Sequence, residues 1–423
     1  MPGRRIPRVL RQLLETEAAS GIVLLVAAIA ALVWANSPWS DSYRTLWGTD
    51  LSVRLGRFGF AEDLHHWVND GLMAIFFFVV GLEIKRELVH GELRYWRTAA
   101  TPAIAAVGGM AVPALLFMLL TAGTGASRAW GIPMATDIAF AVSVVAALGS
   151  RIPASMKLFL LTLAIVDDIG AVVVIAVFYA GEVRPEFLAT ALILLAVMVA
   201  LHRVGVVWTV PYLALGAGVW LATQASGVHA TIAGVMLGLL APARPLTPAA
   251  VTRMWEGHLN DHPGPAEVAS LTALARTSVS PAERMEHLLL PWTSFVVVPL
   301  FALANAGISI RAKSFHAPGA LAVSAGVVVG LVVGKAVGIT AATWLAVRTG
   351  LGRLPEGATW PMVAGIATVG GIGFTVSLFV AELAFNAGEL QDAAKLGVLG
   401  GSSLAAVVGA LALVRACRTE SAA

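Results

Sequence analysis

The feature that most constrains this chain is a succession of twelve apolar runs. They fall near residues 17–36, 67–84, 98–121, 129–149, 155–180, 187–202, 208–225, 228–242, 291–310, 319–347, 358–385 and 394–414. Wound as α-helices, most come close to the thickness of a bilayer core, which takes roughly 20 mostly apolar residues. A soluble fold of 423 residues could not hide this much apolar surface, because hydrophobic residues make up 58% of the chain and charged ones 13%. A soluble domain carries about 25% charged residues. Lipid is the remaining solvent, and in lipid each span must satisfy its own backbone hydrogen bonds. The expected fold is therefore all-α: a polytopic membrane protein with about twelve transmembrane helices, forming a single membrane domain over residues 1–423. Arg4, Arg5, Arg8 and Arg11 precede the first run. That run ends at Trp34-Ala35-Asn36 without a small-residue cleavage site, so it reads as a first span and not as a removed leader. The single cysteine, Cys417, leaves no internal disulfide to consider.

The basic residues orient the spans. With the N-terminus inside, 19 of the 28 lysines and arginines fall in cytoplasmic segments and 8 in external ones, the expected positive-inside bias. Both termini, residues 1–16 and 415–423, are then cytoplasmic. The net charge of +3 sets topology in this way and gives no sign of a nucleic-acid partner. In the external segment 45–60, Leu51, Val53 and Leu55 alternate ahead of Gly56-Arg57, the pattern of a small β-hairpin. Residues 243–290 read as a long cytoplasmic loop. Its His258 and His262 have the spacing of helical metal ligands, but Asn260, Asp261 and Pro263 argue against a continuous helix there.

One basic residue, Lys335, fits neither side, and three acids join it near span centres: Asp137 in the fourth, Asp167 and Asp168 in the fifth. A charge at a membrane helix centre costs about 2.5–3.5 kcal/mol on insertion scales. Left unpaired, the four would cost on the order of 10 kcal/mol, comparable to the stability of a whole fold. Their retention points to function. Burial in apolar surroundings favours the neutral form of an acid, so an intramembrane carboxylate can exchange a proton for a hard cation. Asp167 and Asp168 are adjacent and point about 100° apart on a helix. One can face a cavity while the other meets a base, and Lys335 is the intramembrane base within reach of that reasoning.

Two spans are interrupted. The fourth reads Gly131-Ile132-Pro133-Met134-Ala135-Thr136-Asp137 and the eleventh Gly370-Gly371-Ile372-Gly373-Phe374-Thr375. Proline, Thr-Asp and clustered glycines all weaken a helix ladder. The interruptions occupy the middle of spans 3–5 and of spans 10–12, trios that start on opposite sides of the membrane and so form an inverted repeat. Paired breaks of this kind mark the midplane site of a transporter. Asp137 can offset facing helix N-termini there, and Lys335 facing C-termini.

At these residues the sequence resembles the NhaA-type Na⁺/H⁺ antiporters. The likeness is carried by Ala135-Thr136-Asp137-Ile138-Ala139-Phe140-Ala141, by Ala164-Ile165-Val166-Asp167-Asp168-Ile169-Gly170-Ala171 and by Val80-Gly81-Leu82-Glu83-Ile84-Lys85-Arg86-Glu87-Leu88. Gly227-Val228-His229-Ala230-Thr231, Phe301 to Gly307 and Gly334-Lys335 extend it, so that it covers about residues 15 to 415. The resemblance implies crossed, interrupted fourth and eleventh spans in a bacterial inner-membrane protein. It implies electrogenic exchange of Na⁺ (or Li⁺) for protons in pH and sodium homeostasis. It assigns cation and proton binding to Asp168, Asp167 and Thr136, with the ion at Asp168 and Asp167, and charge compensation to Asp137 and Lys335. It places a family acid at Asp70. It assigns pH response to Glu83, Arg86 and Glu87, to Arg284, Glu286 and His287, and to His229. Glu283 stands where the pattern has a basic residue and Leu290 where it has a histidine, and the 243–283 loop is longer than usual; these departures bear on pH response. The external hairpin resembles a dimer contact, which implies a homodimer. No cofactor is expected, and the chain reads as a transporter, not an enzyme.

Two other classes compete on the residues alone. An intramembrane aspartyl protease would leave Lys335 and the eleventh span unexplained, and the Gly-x-Gly-Asp stretch is missing from the sequence. A sodium-coupled solute symporter would need a pocket for an organic solute, and no cluster of arginine, aromatic or amide residues marks one.

Overall fold

The computed structural model describes residues 8–55, 58–204, 209–243, 279–310 and 317–421. Most of the segment 243–290, including His258 and His262, lies outside the described residues, as do residues 1–7 and 422–423. The chain begins with α1 (Arg8–Ala35) and α2 (Ser40–Trp47). Strands β1 (Asp50–Leu55) and β2 (Phe58–Asp63) follow and pair antiparallel, with Asp50 opposite Asp63. The remaining helices are α3 (Leu64–His66), α4 (Met73–His90), α5 (Trp96–Leu120), α6 (Ile138–Ala147), α7 (Ala154–Phe178), α8 (Pro185–Arg203), α9 (Thr209–Ala225), α10 (Ala230–Leu240), α11 (Pro281–Trp292), α12 (Val298–Asn305), α13 (Ala320–Val329), α14 (Lys335–Arg348), α15 (Trp360–Val369), α16 (Phe374–Ala384) and α17 (Glu389–Ser421).

Among the described residues, six helices are long and apolar enough to cross a membrane, and three sharply bent helix pairs raise the number to nine. The difference from twelve apolar runs has local causes. The run at 228–242 forms an 11-residue helix, α10, that at 208–225 a 17-residue helix, α9, and α4 carries Glu83, Lys85, Arg86 and Glu87 in its second half. Residues 281–290, placed in a loop from sequence, are instead helical. Ser280 caps α11 by accepting from the Glu283 N–H, and Pro281 occupies the first turn, where a missing N–H costs nothing. That helix continues through a π-helical turn, Thr293–Val297, into α12. Large apolar side chains such as Leu119 (72% exposed) and Val210 (73%) face outward, a pattern costly in water and favourable in lipid. Helix α8 buries only Ala191 and Leu195 and so runs along the periphery.

The interior is packed through small residues. Helices α5 and α14 cross where Gly108 meets Gly338: a Cβ added to either would strike the other's carbonyl oxygen. Helices α4 and α10 also approach closely at Gly81 and Gly238: a Cβ on the first would strike the Val235 carbonyl and one on the second the Phe78 carbonyl. Dispersion and close backbone approach hold helices together where lipid removes the hydrophobic drive. Three π-helical turns, Trp67–Leu72, Thr293–Val297 and Gly330–Gly334, interrupt helices in this packed region. Such bulges re-aim the side chains that follow them, and Lys335 is the residue immediately after the third.

Candidate functional site

Both interrupted spans are broken at the expected sequences. The segment Ala126–Met134 and α6 are separated at Ala135–Asp137 and bent by 42°; α15 and α16 are separated at Gly370–Gly373 and bent by 48°. Gly370, Gly371 and Gly373 all have ordinary negative φ, so left-handed backbone is not what requires glycine here. Space is: a Cβ on Gly371 would collide with the Leu331 carbonyl on the neighbouring π-turn.

The two breaks satisfy each other. The Asp137 N–H donates to the Ile372 carbonyl at 2.7 Å, and the Ser377 hydroxyl donates to the Ile132 carbonyl at 2.7 Å. Asp137 also caps two helices at once. Its Oδ1 accepts from the Phe140 N–H in the first turn of α6 at 3.0 Å. Its Oδ2 accepts from the Thr375 N–H at 3.1 Å and from the Thr375 hydroxyl at 2.5 Å, in the first turn of α16. One carboxylate therefore faces two helix N-termini, where negative charge is stabilised.

A second cluster lies beside it. The Asp167 Oδ2 forms an ion pair with the Lys335 ammonium, both side chains being fully buried. The Thr136 hydroxyl lies 2.7 Å from that same oxygen and 2.7 Å from the Gly370 carbonyl, so its single proton serves one or the other. Lys335 also donates to the Thr136 hydroxyl at 3.0 Å. The second Asp167 oxygen, Oδ1, is buried without a hydrogen-bond partner. Lys335 thus reaches Asp167 and Thr136, and the C-terminal carbonyl of the broken span is bonded through Thr136.

Asp168 takes part in none of these pairings. It is 5% exposed and lines a cavity together with Thr136, Asp137 and Thr375. Glu83 and Glu286 line the same cavity. A buried carboxylate, a threonine hydroxyl and neighbouring carboxylate oxygens form an all-oxygen donor set, the chemistry that hard cations prefer. It contains neither the thiolate nor the imidazole that a transition metal would favour.

The remaining candidates separate into groups. Arg86 forms an ion pair with Glu286 and lies 3.9 Å from Glu83. Glu87 turns back to accept from the Glu92 N–H at 2.7 Å, closing the end of α4. Arg284 and His287 are exposed and are not in that ion pair. Leu290 lines the cavity. His229 precedes α10, with Nε2 2.7 Å from the Tyr179 carbonyl. Asp70 sits in the first π-turn, where its carbonyl accepts from the Trp220 indole at 3.0 Å; it does not join Asp167 and Asp168. Among the described residues, Asp63, His65 and His66 form the one group of three such ligands close enough for a metal ion. Asp63 is already engaged there as the N-cap of α3.

Sequence reasoning missed Glu382 and Lys395, which form a largely buried ion pair, and the partnership of Thr375 with Asp137. An acid near the end of the apolar run 358–385 was the available signal for Glu382.

A family profile described as Na⁺/H⁺ antiporter 1 matches residues 11–413. The chain is 45% identical over 414 residues to Na(+)/H(+) antiporter NhaA 3 of Frankia alni, covering 97% of this chain and 89% of that protein. It is 45% identical over 425 residues to Na(+)/H(+) antiporter NhaA of Rhodopirellula baltica, with 97% and 95% covered. It is 47% identical over 427 residues to Na(+)/H(+) antiporter NhaA of an Anaeromyxobacter species, with 98% and 93% covered.

Proposed function

This chain belongs to the Na⁺/H⁺ antiporter 1 family, and from that premise we propose that it exchanges Na⁺ for protons at Asp168, beside the crossing of its two broken helices. The observation that carries the assignment is the division of labour between adjacent carboxylates. Asp167 is held by Lys335 and Thr136, whereas Asp168 faces the cavity without those partners.

The mechanism follows from competition. Na⁺ needs an ionised carboxylate, and a proton removes it. Arrival of a cation at Asp168 favours loss of its proton, and protonation expels the cation. Asp167 sits one residue away, so charge on Asp168 is felt by the Asp167–Lys335 pair. When Lys335 lets go of Asp167 Oδ2, that oxygen joins the unpartnered Oδ1 as a further ligand. Asp137 keeps its double cap, facing both helix N-termini while the central charges change. The multi-pass fold supports a membrane setting for this chemistry.

The finer reading has twelve spans, spans 3–5 and 10–12 as an inverted repeat, both termini in the cytoplasm of a bacterial inner membrane, and the β1–β2 strands outside. The apolar runs and the positive-inside bias support it. Electrogenic exchange, use of Li⁺ and a homodimer formed through the hairpin rest on the family resemblance. So does pH response at Glu83, Arg86, Glu87, His229, Arg284, Glu286 and His287. For part of that set the Arg86–Glu286 pair at the cavity adds support, since such a pair can respond to protonation. The sodium-coupled symporter gains nothing from the relatives' names.

The test is sodium-dependent dequenching of a pH-gradient dye in everted vesicles, then in liposomes holding purified protein across pH 6–9. Sodium-triggered proton movement without added solute, lost in Asp168→Asn and kept in a distant surface variant, is the expected result. Retention of full exchange after both Asp167 and Asp168 are neutralised would overturn the assignment.

A further inference from the structure

Half-helix α16 is fastened at both ends. Its first turn is tied to Asp137 through Thr375. Near its other end, Glu382 forms an ion pair with Lys395 of α17, with side chains only 13% and 8% exposed. The second Glu382 oxygen accepts from the Gln391 amide at 2.9 Å. That amide also donates to the Phe385 carbonyl at 3.1 Å, directly after α16. From a third direction, His65 of α3 brings its Nε2 to 3.6 Å from Glu382. A polar line continues inward: the His65 Nδ1 lies 3.3 Å from the Asn69 amide nitrogen, and the Asn69 oxygen accepts from the Asn305 amide at 2.8 Å. Asn305 is 1% exposed, and its own Oδ1 is buried without a partner. Asp63, beside His65, and Asp392, beside Lys395, are further charges acting on the cluster.

An apolar layer divides this cluster from the cavity at Asp168. Phe379 packs against Phe77 at 5.5 Å and Phe301 at 6.2 Å between ring centroids, and all three are buried. Two helices present the same order at three- and four-residue spacing, which keeps the groups on one face. On α16 it is Thr375 at the cavity, then Phe379, then Glu382. On α12 it is Val298 at the cavity, then Phe301, then Asn305. The cavity also reaches Glu83 and Glu286, so the phenylalanine layer closes the opposite direction.

We propose that Glu382 is a positioning residue for exchange: its clasp with Lys395, Gln391 and His65 holds α16 and the Phe379 layer shut on the face opposite the cavity, and must release for the cation to pass that way. Once the layer parts, the Asn305 oxygen offers an acceptor to whatever enters. The inference rests on the antiport reading, which supplies the need for a second opening.

The experiment uses the full-length chain with Cys417→Ser and a reporter, Ala381→Cys, at a fully buried position next to Glu382. A membrane-impermeant thiol reagent is applied to intact cells and, separately, to everted vesicles. The parent reporter is expected to label slowly from both sides. With Glu382→Gln added, labelling of intact cells is expected to rise about fivefold, the upper end of the shift that loss of one partly exposed ion pair gives a two-state equilibrium. Lys395→Gln is expected to do the same, which covers the case in which one variant fails to fold. The swapped pair Glu382→Lys with Lys395→Glu is expected to restore slow labelling and part of the exchange, which a merely structural loss would not do. Unchanged labelling in both single variants, faster labelling from the vesicle side alone, or a swap that labels as fast as the singles would each overturn the proposal. Labelling needs no sodium. If the parent shows no sodium-driven proton flux, the antiport reading fails separately from the clasp.

Discussion

The backbone N–H of Asp137 donates to the carbonyl of Ile372 at 2.7 Å, so the breaks in two spans that lie 235 positions apart in sequence are one structural unit. Unwound backbone in a membrane interior leaves donors and acceptors that water cannot reach. Here each break supplies partners for the other, through Asp137 and Ile372, Ser377 and Ile132, and Thr136 and Gly370. Neither interruption would be affordable alone.

Asp137→Ala should therefore cost two caps at once. At about 1 kcal/mol per lost cap, the thermal midpoint in detergent should fall by the equivalent of roughly 2 kcal/mol, and Asp137→Asn, which keeps an acceptor, by less. A loss confined to one cap's worth would argue against the double role.

Lys335→Met leaves the Asp167 carboxylate buried without its cation, a change that typically costs about 3–5 kcal/mol. Replacing both, as Asp167→Asn with Lys335→Met, should recover most of that stability without recovering exchange. The check is a thermal melt of the four proteins of the cycle. A double variant as unstable as the lysine variant would show that Lys335 acts through contacts other than Asp167.

Asp168→Asn should separate function from stability in the opposite sense. Asp168 takes part in neither the capping nor the ion pair, so its neutralisation should leave the melting temperature near that of the parent while abolishing sodium-dependent proton flux. A strongly destabilised Asp168→Asn would mean that the residue is structural.

Asp63 and His66, just ahead of the segment expected to enter the membrane, lie 2.7 Å apart and are partly exposed. Burial opposes ionisation of Asp63, but the His66 N–H and imidazole outweigh it and hold the carboxyl below its usual range. Burial likewise pulls His66 down, but the Asp63 carboxylate outweighs it and holds the imidazole above 6.5. The histidine's contribution is then full below its unfolded value near pH 6.5 and is lost as pH rises through the raised folded one. The aspartate's is present above the ordinary carboxylate range and is lost as pH falls through its lowered value. Exposure keeps the pair below about 1 kcal/mol. His66→Ala should narrow the difference in melting temperature between mildly acidic and alkaline buffer by a small amount; no change in that difference would refute the linkage.

Some of this was readable in the chain and some was not. Apolar runs with few charges announce a helical membrane protein, and Pro133 and the glycines from 370 to 373 announce two breaks, because the covalent geometry of those residues acts locally. The positions of Lys335, Asp167 and Asp168 in such runs were equally plain. Which of the adjacent carboxylates meets the lysine was not, on spacing alone, since that depends on how α7 is rotated among its neighbours. Lys395 is one of the eight basic residues counted in external segments, because nothing in a linear pattern shows that α17 starts by folding back on Glu382. Residues 281–290 read as loop, because their charges outweigh a helix start signalled only by Ser280 and Pro281.

The crossing of α5 and α14 at Gly108 and Gly338 has a mechanical corollary. Pro113 of α5 also fills the space that a side chain on Gly334, the neighbour of Lys335, would need. The lysine is therefore mounted on a two-rod chassis, and any excursion large enough to carry its ammonium clear of Asp167 by backbone movement must drag Trp96–Leu120 along. Freedom for the lysine alone lies in its four methylenes, whose torsions can turn while both rods stand still.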